Sequence, residues 1–127
     1  MSAKTRSECT AEEALRYLSD YFATVDLITE ALGKFEVLAT DATTASTRSE
    51  FRAKALEAQR DLELLKNQRR AFLADEAAIK PPSQKVVDAA VARAKELAEI
   101  VADEAKATAI IGLITKGLSA FNQIHAA

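Results

Sequence analysis

The chain has 127 residues, of which 49% are apolar and 28% charged, with a net charge of -2. One domain of this size buries roughly two thirds of its unfolded surface, so it needs neither disulfide nor metal to fold. The mixed charge excludes a sustained basic field for nucleic acid or an anionic bilayer, and the single cysteine, Cys9, excludes an internal disulfide.

Composition favours helix. Twenty-seven alanines stand against three glycines and two prolines, and tryptophan is absent, so the core is expected to be aliphatic with alanine-thin spacing. In "MSAKTRSEC" no apolar run follows the basic residues, so no secretory leader is read. The cytoplasm is the expected location, although a signal-less secretion route would leave no mark. Residues 1–9 read as a flexible leader and 10–127 as one helical domain.

The first helix is expected over about 10–40. Thr10 and Glu13 form a capping box, and Leu15, Leu18, Phe22, Val25, Ile28, Leu32, Phe35 and Ala39 recur at three- and four-residue steps. Gly33 inside that stripe could mark a bend. Tyr17 and Tyr21, four apart, read as core-edge tyrosines or an exposed ridge. The segment "TDATTASTRSE" breaks the pattern, because its short polar side chains compete for backbone hydrogen bonds.

Thr47 and Glu50 suggest a second capping box and a helix over 47–79, with Phe51, Ala55, Ala58, Leu62, Leu65, Phe72 and Ile79 facing inward. Leu56, Leu64 and Leu73 widen this face, as expected of a helix with two neighbours. Its one basic cluster, Lys66, Arg69 and Arg70, is a candidate patch for an anionic partner. Flanking Asp61, Glu63, Asp75 and Glu76 dilute it, and no free aromatic residue lies nearby for stacking on bases. Nucleic acid is therefore disfavoured.

"KPPS" ends the second helix, since paired prolines remove two amide donors and push the preceding residue out of helical geometry. Ser83 can cap a third helix over 83–125, with Val87, Val91, Ala94, Ala98, Val101, Ala105, Ile111, Ile114, Leu118 and Phe121 as its stripe. No strand alternation occurs. The fold class is therefore all-α, an antiparallel three-helix bundle whose end can bend near Gly112 or Gly117. "ADEA" occurs at 74–77 and 102–105, which reads as coincidence in a chain so rich in Ala and Glu.

The inventory of reactive groups is thin. The only histidine, His125, and the only cysteine, Cys9, lie at opposite ends of the chain and read as an exposed tail histidine and a buried or surface thiol. A di-iron bundle needs Glu-x-x-His pairs, but Asn122 stands three before His125, and no zinc-ligand cluster is present. Gly112 and Gly117 have the spacing of a phosphate loop, but Leu118 and Ser119 follow where Lys and Ser or Thr are needed. Adjacent carboxylates such as Asp103 and Glu104 point about 100° apart on a helix, so they do not tune each other. The expectation is a non-enzymatic chain with no cofactor, no metal and no small-molecule substrate.

What remains is the apolar tail "KATAIIGLITKGLSAFNQIHAA". Residues 107–124 approach the length of a bilayer span, but Lys116 at the centre costs roughly 3 kcal/mol there. A membrane-inserting tail is the alternative reading. The favoured one follows from length, because an unbroken third helix would outrun the second by about 15 Å. Ile114, Leu118, Phe121 and Ile124 then either fold back over the bundle or bind another chain, a second copy included. The function expected is a small protein-interaction module: an adaptor, a secretion chaperone or a toxin-neutralising immunity protein.

Overall fold

The computed structural model describes residues 3–125, all-helical apart from one isolated bridge. The first two residues of the expected leader and the last two of the expected domain lie outside them. Among the described residues there are four long helices rather than three: α1 (Ala11–Asp41), α2 (Ala45–Leu73), α3 (Gln84–Glu99) and α4 (Ala107–His125).

Helix α1 starts where the capping box places it, with Thr10 accepting from the Glu13 amide. It runs through Gly33 without interruption. Only three residues, 42–44, separate it from α2, and Thr44 rather than Thr47 caps that helix by accepting from the Thr47 amide. Helix α2 stops at Leu73, not at 79, because Asp75 takes a left-handed conformation at φ 63°. That turn is locked from outside. The Asp75 carboxylate accepts from the Ser7 amide at 2.9 Å and from its hydroxyl, and Ile79 pairs with Lys4 through backbone bonds of 2.7 and 2.8 Å. Lys4 and Ser7 thus tie this segment to the α2–α3 linker.

The second departure is the break between α3 and α4. Ile100 leaves the helix in an extended conformation, and Asp103 caps a single 3-10 turn over Glu104–Lys106 by accepting from the Ala105 amide. No glycine or proline marks this reversal, which is why periodicity alone predicts an unbroken 83–125 helix. Both "ADEA" stretches sit at helix breaks, one at the C-terminus of α2 and one between α3 and α4. The tail does not bend at Gly112 or Gly117, since α4 is continuous through both.

The helices run up, down, up and down. Tyr17 meets Phe72, and Phe35 stacks on Phe51, so α1 and α2 are antiparallel. Arg16 donates to the Pro82 carbonyl at 2.9 Å, which starts α3 alongside the beginning of α1. Helix α4 then returns, with Phe121 against Tyr17 and Tyr21, and its Ile124 carbonyl accepts from the Lys80 amide at 2.7 Å. Helix α1 packs on all three others, whereas the backbones of α2 and α4 stand apart.

A helix surrounded on three sides buries a wide face. The core of α1 is therefore Tyr17, Asp20, Tyr21, Thr24, Leu27, Ile28, Ala31, Phe35 and Leu38, and the tyrosines form no exposed ridge. Leu15 and Phe22, placed on the inward stripe by periodicity, are 64% and 53% exposed on the remaining solvent strip. Helix α2, expected to have two neighbours, buries only Phe51, Ala55, Ala58, Leu65 and Phe72, and leaves Leu62 half-buried. In α3 the inward residues are Val87, Ala90 and Leu97, with Val91 turned outward.

Candidate functional site

The candidate partner residues of α4 divide between core and cleft. Phe121 is fully buried, out of a partner's reach while the bundle is folded, and Ile124 is nearly so, showing only an edge on the far side of α4. Ile114 and Leu118 are half-buried and, with Ile111 and Thr115, form one wall of a cleft between α2 and α4. Its other wall is Lys54, Glu57 and Asp61 of α2, and its floor is Phe35 and Ala58. The cleft exists because α4 docks on α1 and leaves a gap beside α2.

Free space in the cleft is about 110 Å³. That is well below the 300–1,000 Å³ of a typical small-molecule pocket, but near the ~150 Å³ that a benzene-sized group fills. One large apolar side chain fits. The rim is acidic: Lys54 is held 3.5 Å from Glu57, while burial, and then the neighbouring Glu57 charge, push the Asp61 carboxyl above its ordinary value. Thr115 gives its hydroxyl to the Ile111 carbonyl, so it is already satisfied within α4.

The basic trio of α2 does not stay together as a patch. Lys66 and Arg70 are exposed, with Lys66 3.7 Å from Glu63. Arg69 turns inward, its guanidinium lying 4.9 Å from the centre of the Tyr21 ring, and its Nε is buried without an acceptor in the protein. Two cations therefore remain outside, one of them already paired.

His125 is not an exposed tail residue. Its Nε2 lies 2.7 Å from the Tyr17 hydroxyl, and its ring sits 5.0 Å from that of Phe121. Burial holds the imidazole down to about 4, so it is neutral near pH 7, and burial raises the Tyr17 phenol further above its ordinary range. A neutral imidazole and an un-ionised phenol joined by one hydrogen bond inside the bundle make a packing element that closes its end. Cys9 is half-buried with a thiol raised chiefly by burial, and it packs on the edge of the core. Among the described residues, no three of His, Cys, Asp and Glu cluster as metal ligands, and no helix is long and apolar enough to cross a membrane.

One buried polar group has no sequence signal at all. Asp20 is 1% exposed, and Thr24 turns its hydroxyl toward the Asp20 carbonyl at 2.9 Å, leaving only a long 3.4 Å contact to the Asp20 Oδ1. The Asp20 Oδ2 has no donor. Arg93 of α3 is close enough to act on this carboxylate electrostatically, yet the two form no ion pair. In sequence, Asp20 looks like any solvated helix carboxylate. It is buried only in the assembled bundle, where Arg93 of α3 comes near it. No family model matches this chain, nor does any curated protein or solved structure.

Proposed function

We propose that this chain is a small non-enzymatic protein-interaction module, and that the α2–α4 cleft receives an apolar side chain of a protein partner. The observation that carries this reading is the set of half-exposed aliphatic groups, Ile111, Ile114 and Leu118, over a Phe35 and Ala58 floor. A partially filled apolar notch suits an anchor residue, since association energy concentrates in a few desolvated side chains seated in pockets. The Glu57 and Asp61 rim favours a partner that brings positive charge beside that anchor. An adaptor, a secretion chaperone and an immunity protein would each use such a face, and the partner's identity separates them.

The membrane alternative is weaker on this geometry. Ile110, Leu113, Phe121 and Ile124 face the core, so inserting α4 into a bilayer would first require unpacking the bundle.

The test is purification of the tagged chain from its native cell, alongside an Ile114→Glu, Leu118→Glu variant. A partner retained by the parent and lost from a variant of unchanged helicity is the expected outcome. Removing two apolar anchors worth about 1.5–3 kcal/mol each weakens binding by well over tenfold. Equal retention by both proteins refutes the cleft, and sedimentation of the parent alone shows whether the partner is a second copy.

A further inference from the structure

A second concavity lies on the opposite side of α4, where the 80–83 linker, the first half of α3 and the end of α4 converge. Its free volume is about 500 Å³, within the 300–1,000 Å³ of small-molecule sites. Apolar groups dominate its walls: Pro81, Pro82, Val86, Ala89, Ala120 and Ile124. Its charged groups are Lys80 and Arg93, and no Asp or Glu side chain lines it. Three of the other grooves differ in this respect, while a fourth, on Thr115, Leu118, Ser119, Asn122 and Gln123, bears no charge at all. Glu36 lines one between α1 and α2, Asp26 and Glu30 line one between α1 and α3, and Glu57 and Asp61 line the α2–α4 cleft.

The two cations are not equivalent. Lys80 is exposed on the linker, while Arg93 lies more than two turns into α3 and is half-buried. Its Nε is fully buried with no acceptor in the protein, and it lies 3.9 Å from where a Cβ on Gly117 would stand. The guanidinium thus packs in ordinary contact with the Gly117 backbone at the inner end of the groove. That Nε lies inward of the groove, so an anion bound there would meet the terminal guanidinium nitrogens of Arg93 through a charge-assisted bond.

We infer that this groove binds a small amphipathic carboxylate, with its carboxylate on Arg93 and its apolar body along Val86, Ala89, Ala120 and the prolines. The planar guanidinium matches a carboxylate better than an ammonium does. Lys80 adds a screened attraction at the open end. Asp20, buried in the core, competes electrostatically for the same guanidinium.

The probe is decanoate, titrated into the full chain below its micellar concentration and followed by calorimetry and amide NMR, with decanol and decylamine as neutral and cationic controls. Saturable one-to-one binding is expected, with perturbed amides at Ser83, Ala89, Ala120 and Gln123. Arg93→Gln weakens it at least tenfold, Lys80→Gln much less, and Ala89→Trp, a change at an exposed position, blocks it by filling the groove. Asp20→Asn tightens binding by removing the competing anion, an effect that a purely structural Arg93 would not produce. Equal binding of decanol, perturbations confined to the α2–α4 cleft, insensitivity to both Arg93→Gln and Ala89→Trp, or no saturable binding would each overturn the assignment.

Discussion

Asp20, which is buried, and His125, which is half-buried, both titrate in the range where the protein can be studied. Burial pushes Asp20 up to about 6 against the opposing pull of Arg93 and the Thr24 contact, whereas the unfolded chain titrates it near 4. Between those values the folded chain binds more protons, so Asp20 removes stability as pH rises from about 4 to about 6. His125 has the opposite sign. Its folded value of about 4 lies below the roughly 6.5 of the unfolded chain, so between those values the unfolded chain binds more protons and stability is lost as pH falls from about 6.5 to about 4. The two slopes largely cancel in the parent protein. Asp20→Asn is expected to leave a melting temperature that climbs steeply from pH 4 to 6.5, and His125→Gln one that declines over the same range. Each slope amounts to on the order of 1–3 kcal/mol across the interval, once solvent screening at the partly open His125 is allowed for. Thermal melts at several pH values check this, and parallel curves for all three proteins would mean that neither group is desolvated.

Within the helices, the three glycines separate propensity from packing. Gly33 in α1 and Gly112 in α4 have nothing within 4 Å of where a methyl group would stand, and both are exposed. A methyl group on Gly117 would instead overlap Leu27 Cδ2 in the core. Gly33→Ala and Gly112→Ala should each stabilise by up to about 1 kcal/mol, through helix propensity and a less flexible unfolded chain. Gly117→Ala gains the same propensity but must displace the fully packed Leu27, so a net loss of about 1–2 kcal/mol is expected. Denaturant titration of the three variants decides it. If Gly117→Ala stabilises like the others, α4 does not approach α1 closely enough to touch Leu27. Local propensity predicts bends at these glycines. At Gly117 it is the neighbouring Leu27, not backbone flexibility, that explains the residue.

For the whole molecule, α4 folds back along the bundle, one of the two arrangements its apolar spacing allows, and most of its apolar face becomes core. A chain whose third helix ran unbroken would leave Phe121 on an overhang. In the bundle it is fully buried among Tyr17, Tyr21 and His125. Phe121→Ala is therefore expected to destabilise by about 3–5 kcal/mol at unchanged molecular mass, because that cluster ties α4 to α1 and the bundle unfolds as a unit. Sedimentation and thermal melting on the same sample separate this from an association role. A shift in mass with little loss of stability would return Phe121 to the surface.

Local chemistry determined much of this protein: an all-helical chain, the Thr10 and Ser83 caps that start α1 and α3, the break after residue 40, and the apolar character of Ile114 and Leu118. Each depends on a side chain acting within a turn or two of itself, so spacing alone reveals it. Tertiary structure decided the rest. The α3–α4 reversal has only Asp103 to mark it, and what favours it is the burial of Ile110, Leu113 and Phe121 on a helix far away in sequence. The end of α2 depends on Ser7 reaching Asp75 across 68 residues. Which face of α1 turns inward depends on how many helices surround it, so Leu15 and Phe22 lost places that periodicity gave them and Asp20 gained one. Periodicity measures that a helix has an apolar side; only the neighbours determine how wide it is and where it points.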